Sequence, residues 1–465
     1  MMKKMKIDFL YNMIYQMLVL LVPLITTPYL SRILGVTGIG IYSYTYSIVY
    51  YFMIFALLGI NNYGSRIIAK NKDDIIKTSK EFFSLYSLQF ILGICSIFLY
   101  LIYVFFFCKE YRFISILQII YLFSNLLDIN WFFYGTEKFK ITVTRNIVIK
   151  IISVFLIFTF VKGPSDIWIY TIIMSLSSFM SQLVLFPFLR KTIKFVKISY
   201  KDILKHLKPC IILFLPVIAI SVYKYMDKIM LGMMSSIEEV GLYEQAEKII
   251  NIPMGIITAM STVMLPFFSK NSSTNNKKQQ IEESFNLIMF ISFPIAFGIL
   301  CVSGEFIPLF LGDAFHNSIY LVNILVITII FISFATVIRA GYLLPKEKDK
   351  IYALSVLSGA AVNLILNLIL IPKYNAIGAS VATVFAEFSV MILQIIATHK
   401  YLDYKKYFIN ILPFFVKSSI MFLLIYLIKY LNVSDILTIA LQVLLGVVIY
   451  FVLNLQYIKN KVLKG

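Results

Sequence analysis

The chain has 465 residues, of which 60% are hydrophobic and only 14% are charged, and its mean hydropathy is +0.87. A water-soluble domain of this length cannot bury so much apolar surface, so the solvent implied is lipid. The formal net charge of +19 does not point to nucleic acid, because Lys and Arg fall in short runs between apolar segments rather than on one polar face.

The basic N-terminus MMKKMKIDFL leads into an apolar run with no small-residue cleavage site, which predicts an uncleaved first span near 9–31. Further spans are expected near 39–60, 82–107, 113–134, 143–161, 167–189, 209–232, 240–267, 284–303, 317–343, 351–371, 376–398, 408–429 and 435–457, about fourteen in all. With odd spans running outward, the N-terminus, the loops after even spans and the C-terminus hold about 30 of the Lys and Arg. The positive-inside rule then places both termini in the cytoplasm. Cys95, Cys108, Cys210 and Cys301 lie singly in apolar runs, so neither a disulfide nor a metal site is expected. His206, His316 and His399 have no HExxH or triad-like company, and no Walker-type phosphate loop occurs. With no sizeable outer loop either, a membrane glycan polymerase or ligase is disfavoured. No enzyme and no cofactor are expected.

The most basic loop, LRKTIKFVKISYKDILKHLKP, falls at the midpoint and separates two similar halves. RILGVTGIGIYSYTYSI parallels KIMLGMMSSIEEVGLYEQAEKI, with Gly40 and Tyr42 against Gly241 and Tyr243; EKFKI at 137–141 parallels EKDKI at 347–351. Six spans per half enter the membrane in the same sense, so the halves are expected to be related by a pseudo-two-fold axis along the membrane normal. The fold expected is an all-α polytopic membrane protein. Its lobes are 1–200 and 201–404, and the two additional spans lie in 405–465.

Four stretches carry a resemblance to a known family. They are TTPYLSRILGVTGIGIYSYTYSIVYYFMIFALLGINNYGSRIIAK at 26–70, DINWFFYGTEKFKITVTRNIVIK at 128–150, the segment 223–269, and LLPKEKDKIYALSVLSGAAVNLILNLILIPKYNAIGASVATVFAE at 343–387. Through them the chain resembles the polysaccharide-transport (Wzx-like) flippases of the multidrug/oligosaccharidyl-lipid/polysaccharide export superfamily. The resemblance implies transfer of undecaprenyl-diphosphate-linked oligosaccharide from the inner to the outer leaflet of a bacterial cytoplasmic membrane. The product would feed O-antigen, capsule or exopolysaccharide synthesis, with a polymerase and glycosyltransferases as partners. The alternative in the same superfamily is a cation-coupled multidrug exporter, which wants a more apolar, acid-lined pocket.

A lipid-linked sugar diphosphate needs fixed positive charge inside the membrane, where an idle charge costs several kcal/mol. The candidates are Arg145 and Lys150 in span five, Lys224 in span seven, Lys248 in span eight and Arg339 in span ten, with Arg66 at the cytoplasmic mouth. Lys417 belongs to the appendage and is discounted. Lys248 follows Glu247 where the lipid II flippases, more distant relatives, carry an acid and an arginine; the alternative is that Lys248 only neutralises Glu244 one turn earlier. Arg145, Lys150 and Arg339 either line the cavity or snorkel to the surface, Lys150 being deeper in its span than Arg145. Arg66 either catches the diphosphate or only orients its span.

A second set bears oxygen: Asp227 in span seven, Asn363 and Asn367 in span eleven, and Thr383 in span twelve. Asn363 and Asn367 share one helix face, and hard cations want several oxygen ligands. The resemblance implies a sodium site on these residues, although Asn367 stands where the relatives carry an acid. Proton coupling is the alternative, with Glu387 as a further intramembrane carboxylate that either takes protons or pairs with a span-seven lysine. Equally, Asp227 pairs with Lys224 or Lys228 and the asparagines hydrogen-bond across a helix interface.

Overall fold

The computed structural model describes residues 2–189, 192–269, 274–431 and 433–462, with side chains described from Leu21 onward except at 223, 261–277 and 460–462. Arg190 and Lys191 of the midpoint loop lie outside the described residues. Among the described residues all regular structure is helical, and 11 helical stretches are long and apolar enough to cross a membrane. Packing divides the chain into two compact units, Met1–Ile229 and Met230–Gly465.

The first unit opens with α1 (Met2–Leu57), which is broken at Gly35, where φ is 67°. Without a Cβ, glycine enters this left-handed region without the usual steric cost. The break lies in the interval that the sequence leaves between its first two spans. Leu58 and Gly59, at φ 40° and 75°, separate α1 from α2 (Ile60–Asn71). A Cβ at Gly59 would stand 2.6 Å from the Cys210 carbonyl oxygen, so only glycine lets the chain cross there. Next come α3 (Ile75–Phe106), α4 (Arg112–Leu126), α5 (Asn130–Gly135), α6 (Phe139–Phe160), α7 (Ile167–Leu183) and the single turn α8 (Phe186–Leu189). Asp74 caps α3, its Oδ1 accepting from the Ile76 and Lys77 amides at 3.0 Å, and the Lys77 amide above all holds its carboxyl below the usual range. After the basic loop stand α9 (Tyr200–Leu204) and α10 (Leu207–Ser221), then a π-helical turn at Val222–Met226 and α11 (Asp227–Met234). Ile60, Phe82, Trp131, Phe132 and Phe133 form one buried cluster that fixes α2 and α5 against α3.

The second unit contains α12 (Ile237–Ser269), α13 (Thr274–Leu311), α14 (Ser318–Leu325) and α15 (Thr328–Ile338). A second π-helical turn at Arg339–Leu343 precedes α16 (Asp349–Thr398), α17 (Tyr404–Tyr426), α18 (Asp435–Leu453) and α19 (Leu455–Val462). At 50 residues α16 runs roughly 75 Å, more than twice a hydrocarbon core of about 30 Å. It too is broken, at Asn375 with φ 51° and ψ −133°. The break is held by hydrogen bonds from within its unit: Ser235 Oγ donates to Asn375 Oδ1 at 2.9 Å, and the Ala376 amide donates to Glu239 Oε2 at 3.0 Å. Glu239 thereby caps the restarted helix and places a negative charge at its positive end.

The repeated pentapeptides adopt one conformation. Glu137 and Glu347 sit at φ 58° and 53°. The following lysine amides reach back to the carbonyls of Phe133 at 2.9 Å and Leu343 at 2.8 Å. This six-to-one bond is the Schellman cap that closes a helix before a sharp change of direction. A further correspondence was not visible in the alignment of the halves. Lys205 Nζ pairs with Glu81 Oε1 at 2.8 Å and Lys406 Nζ with Glu282 Oε2 at 2.7 Å, both across 124 positions. A second polar group supports each acid, His206 Nε2 3.1 Å from Glu81 Oε2 and Asn410 Nδ2 2.7 Å from Glu282 Oε1. The start of α10 is thus tied to the start of α3 as the start of α17 is tied to α13. This accounts for the first unit reaching Ile229, beyond the repeat boundary expected at 200/201.

Candidate functional site

Of the four candidate cations in the first unit, Arg145 is satisfied, whereas Lys150, Lys224 and Arg66 have no ion pair among the described residues. Leu127–Ile129 interrupt the chain between α4 and α5, which leaves carbonyls at the helix end without intrahelical donors. The buried Gln89 amide covers two of them, donating to Asn125 O at 2.7 Å and Asp128 O at 2.8 Å, while its own oxygen accepts from Trp131 Nε1 at 3.0 Å. Buried Asp128 accepts from the amide and side chain of Asn130 at 2.9 and 2.7 Å. Arg145 is 6% exposed, so it does not snorkel. Its guanidinium donates to Asn146 Oδ1 at 2.6 Å, Ser181 O at 2.9 Å and Asn130 Oδ1 at 3.0 Å. Asn130 therefore bridges the buried acid and the buried base, and Gln182 joins through its oxygen at 3.2 Å. The arrangement fixes α5, α6 and α7 to one another and neutralises its own charge.

Lys150 stands in contrast. It is half-buried in the middle of α6 and has no hydrogen bond or ion pair among the described residues. Lys224 is exposed on the π-helical turn and, among the described residues, meets only the Tyr225 ring, its Nζ 5.8 Å from the centroid. Tyr225 stacks on Tyr50 with centroids 3.8 Å apart, so one tyrosine of the Tyr-rich segment IYSYTYSIVYYF at 41–52 forms a platform beside this lysine. Arg66 is exposed on α2 without an ionic partner among the described residues. Asp227 is buried at the start of α11 beside the equally buried Lys228.

In the second unit Lys248 Nζ lies 3.2 Å from Glu244 Oε1, the local pair that the sequence offered as one of two readings. Arg339 sits at the head of the second π-helical turn. Its Nε is buried without an acceptor among the described residues, and its guanidinium lies 5.7 Å from the Tyr352 ring centroid. Asn363 and Asn367 are fully buried, and Asn367 Nδ2 donates to Asn363 Oδ1 at 3.2 Å. Thr383 shares a 3.0 Å hydroxyl contact with Tyr243, the repeat partner of Tyr42. Glu387, one turn further along α16, is half-buried without a hydrogen bond or ion pair among the described residues. No cluster of three His, Cys, Asp or Glu occurs among the described residues.

The sequence reading missed Asp128, Asn130, Asn146 and Gln182. Their signal was present: four carboxylate or amide side chains in or beside apolar spans, where each unsatisfied polar group costs several kcal/mol.

A family model described as "Polysaccharide biosynthesis protein" matches residues 7–272. Among curated relatives, a "Putative O-antigen transporter" of Shigella dysenteriae is 26% identical over 388 residues, covering 81% of this chain and 95% of that protein. Among solved structures, a lipid II flippase MurJ in an inward closed conformation superposes with a TM-score of 0.64 at 17% identity, covering 94% of this chain and 99% of the other. An inward-facing multidrug resistance MATE family transporter gives 0.55 at 12% identity, covering 82% and 97%. The fold is that of these membrane transporters.

Proposed function

This chain belongs to the polysaccharide biosynthesis protein family, and on that premise we propose that it is a flippase for undecaprenyl-diphosphate-linked oligosaccharide. It moves repeat units from the cytoplasmic to the outer leaflet by alternating access, and the product serves O-antigen, capsule or exopolysaccharide assembly. Fourteen spans with both termini cytoplasmic fit this reading, since the breaks at Gly35 and Asn375 each divide one long helix in two and α12 adds 33 residues.

The observation that carries the proposal is the set of intramembrane cations without acidic partners. Lys150, Lys224 and Arg339 each lack an ion pair among the described residues, at a cost of several kcal/mol when idle. A diphosphate supplies the missing negative charge. Arg339 adds a planar fork whose buried Nε awaits an acceptor, and Tyr50 and Tyr225 offer faces for sugar rings. Lys248 completes the cation set; Arg145, already satisfied, orients α6 on which Lys150 stands. We assign coupling to Asp227 in the first unit and to Asn363, Asn367, Thr383 and Glu387 in the second, with sodium or protons as the driving ion. Glu387, without an ion pair among the described residues, favours the alternative, a cation-coupled multidrug exporter.

The test is transfer of labelled lipid-linked oligosaccharide across proteoliposome membranes. Lys248→Ala is expected to lose transport beyond the loss in Glu244→Gln, which breaks the same pair; equal losses would reduce Lys248 to a partner of Glu244. Transport indifferent to sodium and pH, with Asp227→Asn and Glu387→Gln fully active, would remove the coupling assignment.

A further inference from the structure

A groove of 340 Å3 lies between α2 and α10 and is not used by the reading above. Tyr63, Arg66, Ile67 and Lys70 of α2 form one wall, and Ile212 and Leu213 of α10 belong to the other. Spacings of three and four residues put these α2 side chains on one helix face. Arg66 and Lys70 are both exposed and neither has an ion pair or hydrogen bond among the described residues. Below them the α10 wall is apolar and continues into the exposed side chains of Ile211, Ile212 and Leu215. Two free cations over an apolar, lipid-facing wall match a molecule with an anionic phosphate at one end and hydrocarbon at the other.

We propose that this groove binds the headgroup of an anionic phospholipid from the leaflet on the side of the basic loops, cytoplasmic in the topology proposed above. Arg66 and Lys70 take the phosphate, and an acyl chain lies along α10. A surrounding phospholipid is favoured over the transported lipid because the groove opens onto the exposed apolar surface, where phospholipid is the abundant phosphate ester. The site also has a structural role. α2 joins α1 through Leu58 and Gly59, both at positive φ, and Gly59 touches α10 backbone. A lipid bridging Arg66 to the α10 wall braces that strained joint from outside.

The experiment uses the purified full chain with phosphatidylglycerol, phosphatidylcholine and undecaprenyl diphosphate, read by native mass spectrometry and by Tm. One phosphatidylglycerol is expected to stay on the parent and raise its Tm, whereas phosphatidylcholine does neither. At roughly fivefold per cation near an anionic lipid, Arg66→Gln with Lys70→Gln weakens retention about 25-fold. The charge-keeping exchange Arg66→Lys with Lys70→Arg retains the lipid, and Lys350→Gln, at an exposed lysine elsewhere, matches the parent. Equal retention by the Gln pair and the parent would overturn the proposal, as would loss in the charge-keeping exchange. Displacement of phosphatidylglycerol by equimolar undecaprenyl diphosphate would overturn it too, assigning the groove to the transported lipid. None of these readouts depends on transport, so the flippase reading stands or falls separately.

Discussion

Arg145 and Lys150 lie five positions apart on α6 and meet opposite fates. Arg145 donates to three oxygens at 3.0 Å or less and sits within a network that includes buried Asp128, whereas Lys150 has no partner among the described residues. Removing Arg145 strands Asn130 and leaves Asp128 buried without its compensating charge, so Arg145→Met is expected to destabilise by about 3 kcal/mol. Lys150→Met removes a charge that the fold does not use. It is expected to leave Tm unchanged or higher while transport falls by at least about tenfold, since one charge-assisted phosphate contact is worth about 1.5–3 kcal/mol. Thermal unfolding of the two purified variants, followed by transport, checks the contrast; a Tm drop in Lys150→Met comparable to that in Arg145→Met would refute it.

At the scale of elements, the molecule turns on breaks placed in long helices. Glu347 occupies a left-handed position that costs an L-residue roughly 1–2 kcal/mol, and a β-branched side chain fares worse there. Stability is therefore expected in the order Glu347→Gly at or above the parent, and the parent above Glu347→Val by about 1 kcal/mol or more. Denaturant or thermal melting gives the order, and a Val variant as stable as the parent would contradict it. This turn was legible in the sequence because its hydrogen bonds are local: EKFKI and EKDKI close their helices with bonds spanning five residues. The Lys248–Glu244 pair was legible for the same reason. The intervals at 32–38 and 372–375 also marked the breaks at Gly35 and Asn375, although the chain stays helical on both sides. The π-helical turns that carry Lys224 and Arg339 left no comparable signal, because a span apolar on all sides has no stripe whose phase one extra residue would shift. The Arg145 network was hidden for a different reason. Asn130, Asn146 and Gln182 come from three separate helices, and only packing brings them together.

At the scale of the whole chain, each unit repeats one scheme of ties: a Schellman-capped turn at Glu137 or Glu347, and a Lys–Glu pair across 124 positions. Both pairs are partly exposed and screened by solvent, so each contributes little to stability. The charge-reversed double variant Glu81→Lys with Lys205→Glu is expected to recover stability lost in either single variant, and failure to recover would show that the pair has no coupling of its own. In contrast to these satisfied charges, the intramembrane cations Lys150, Lys224 and Arg339 have no ion pair among the described residues, and they carry the claim that the chain moves an anionic lipid-linked glycan. Proteoliposome transport of labelled undecaprenyl-diphosphate oligosaccharide by a Lys150→Gln, Arg339→Gln double variant tests that claim most directly. The account predicts a folded protein, with Tm within a few degrees of the parent, that transfers the glycan at a small fraction of the parent rate. Transfer at the parent rate by that variant would contradict it.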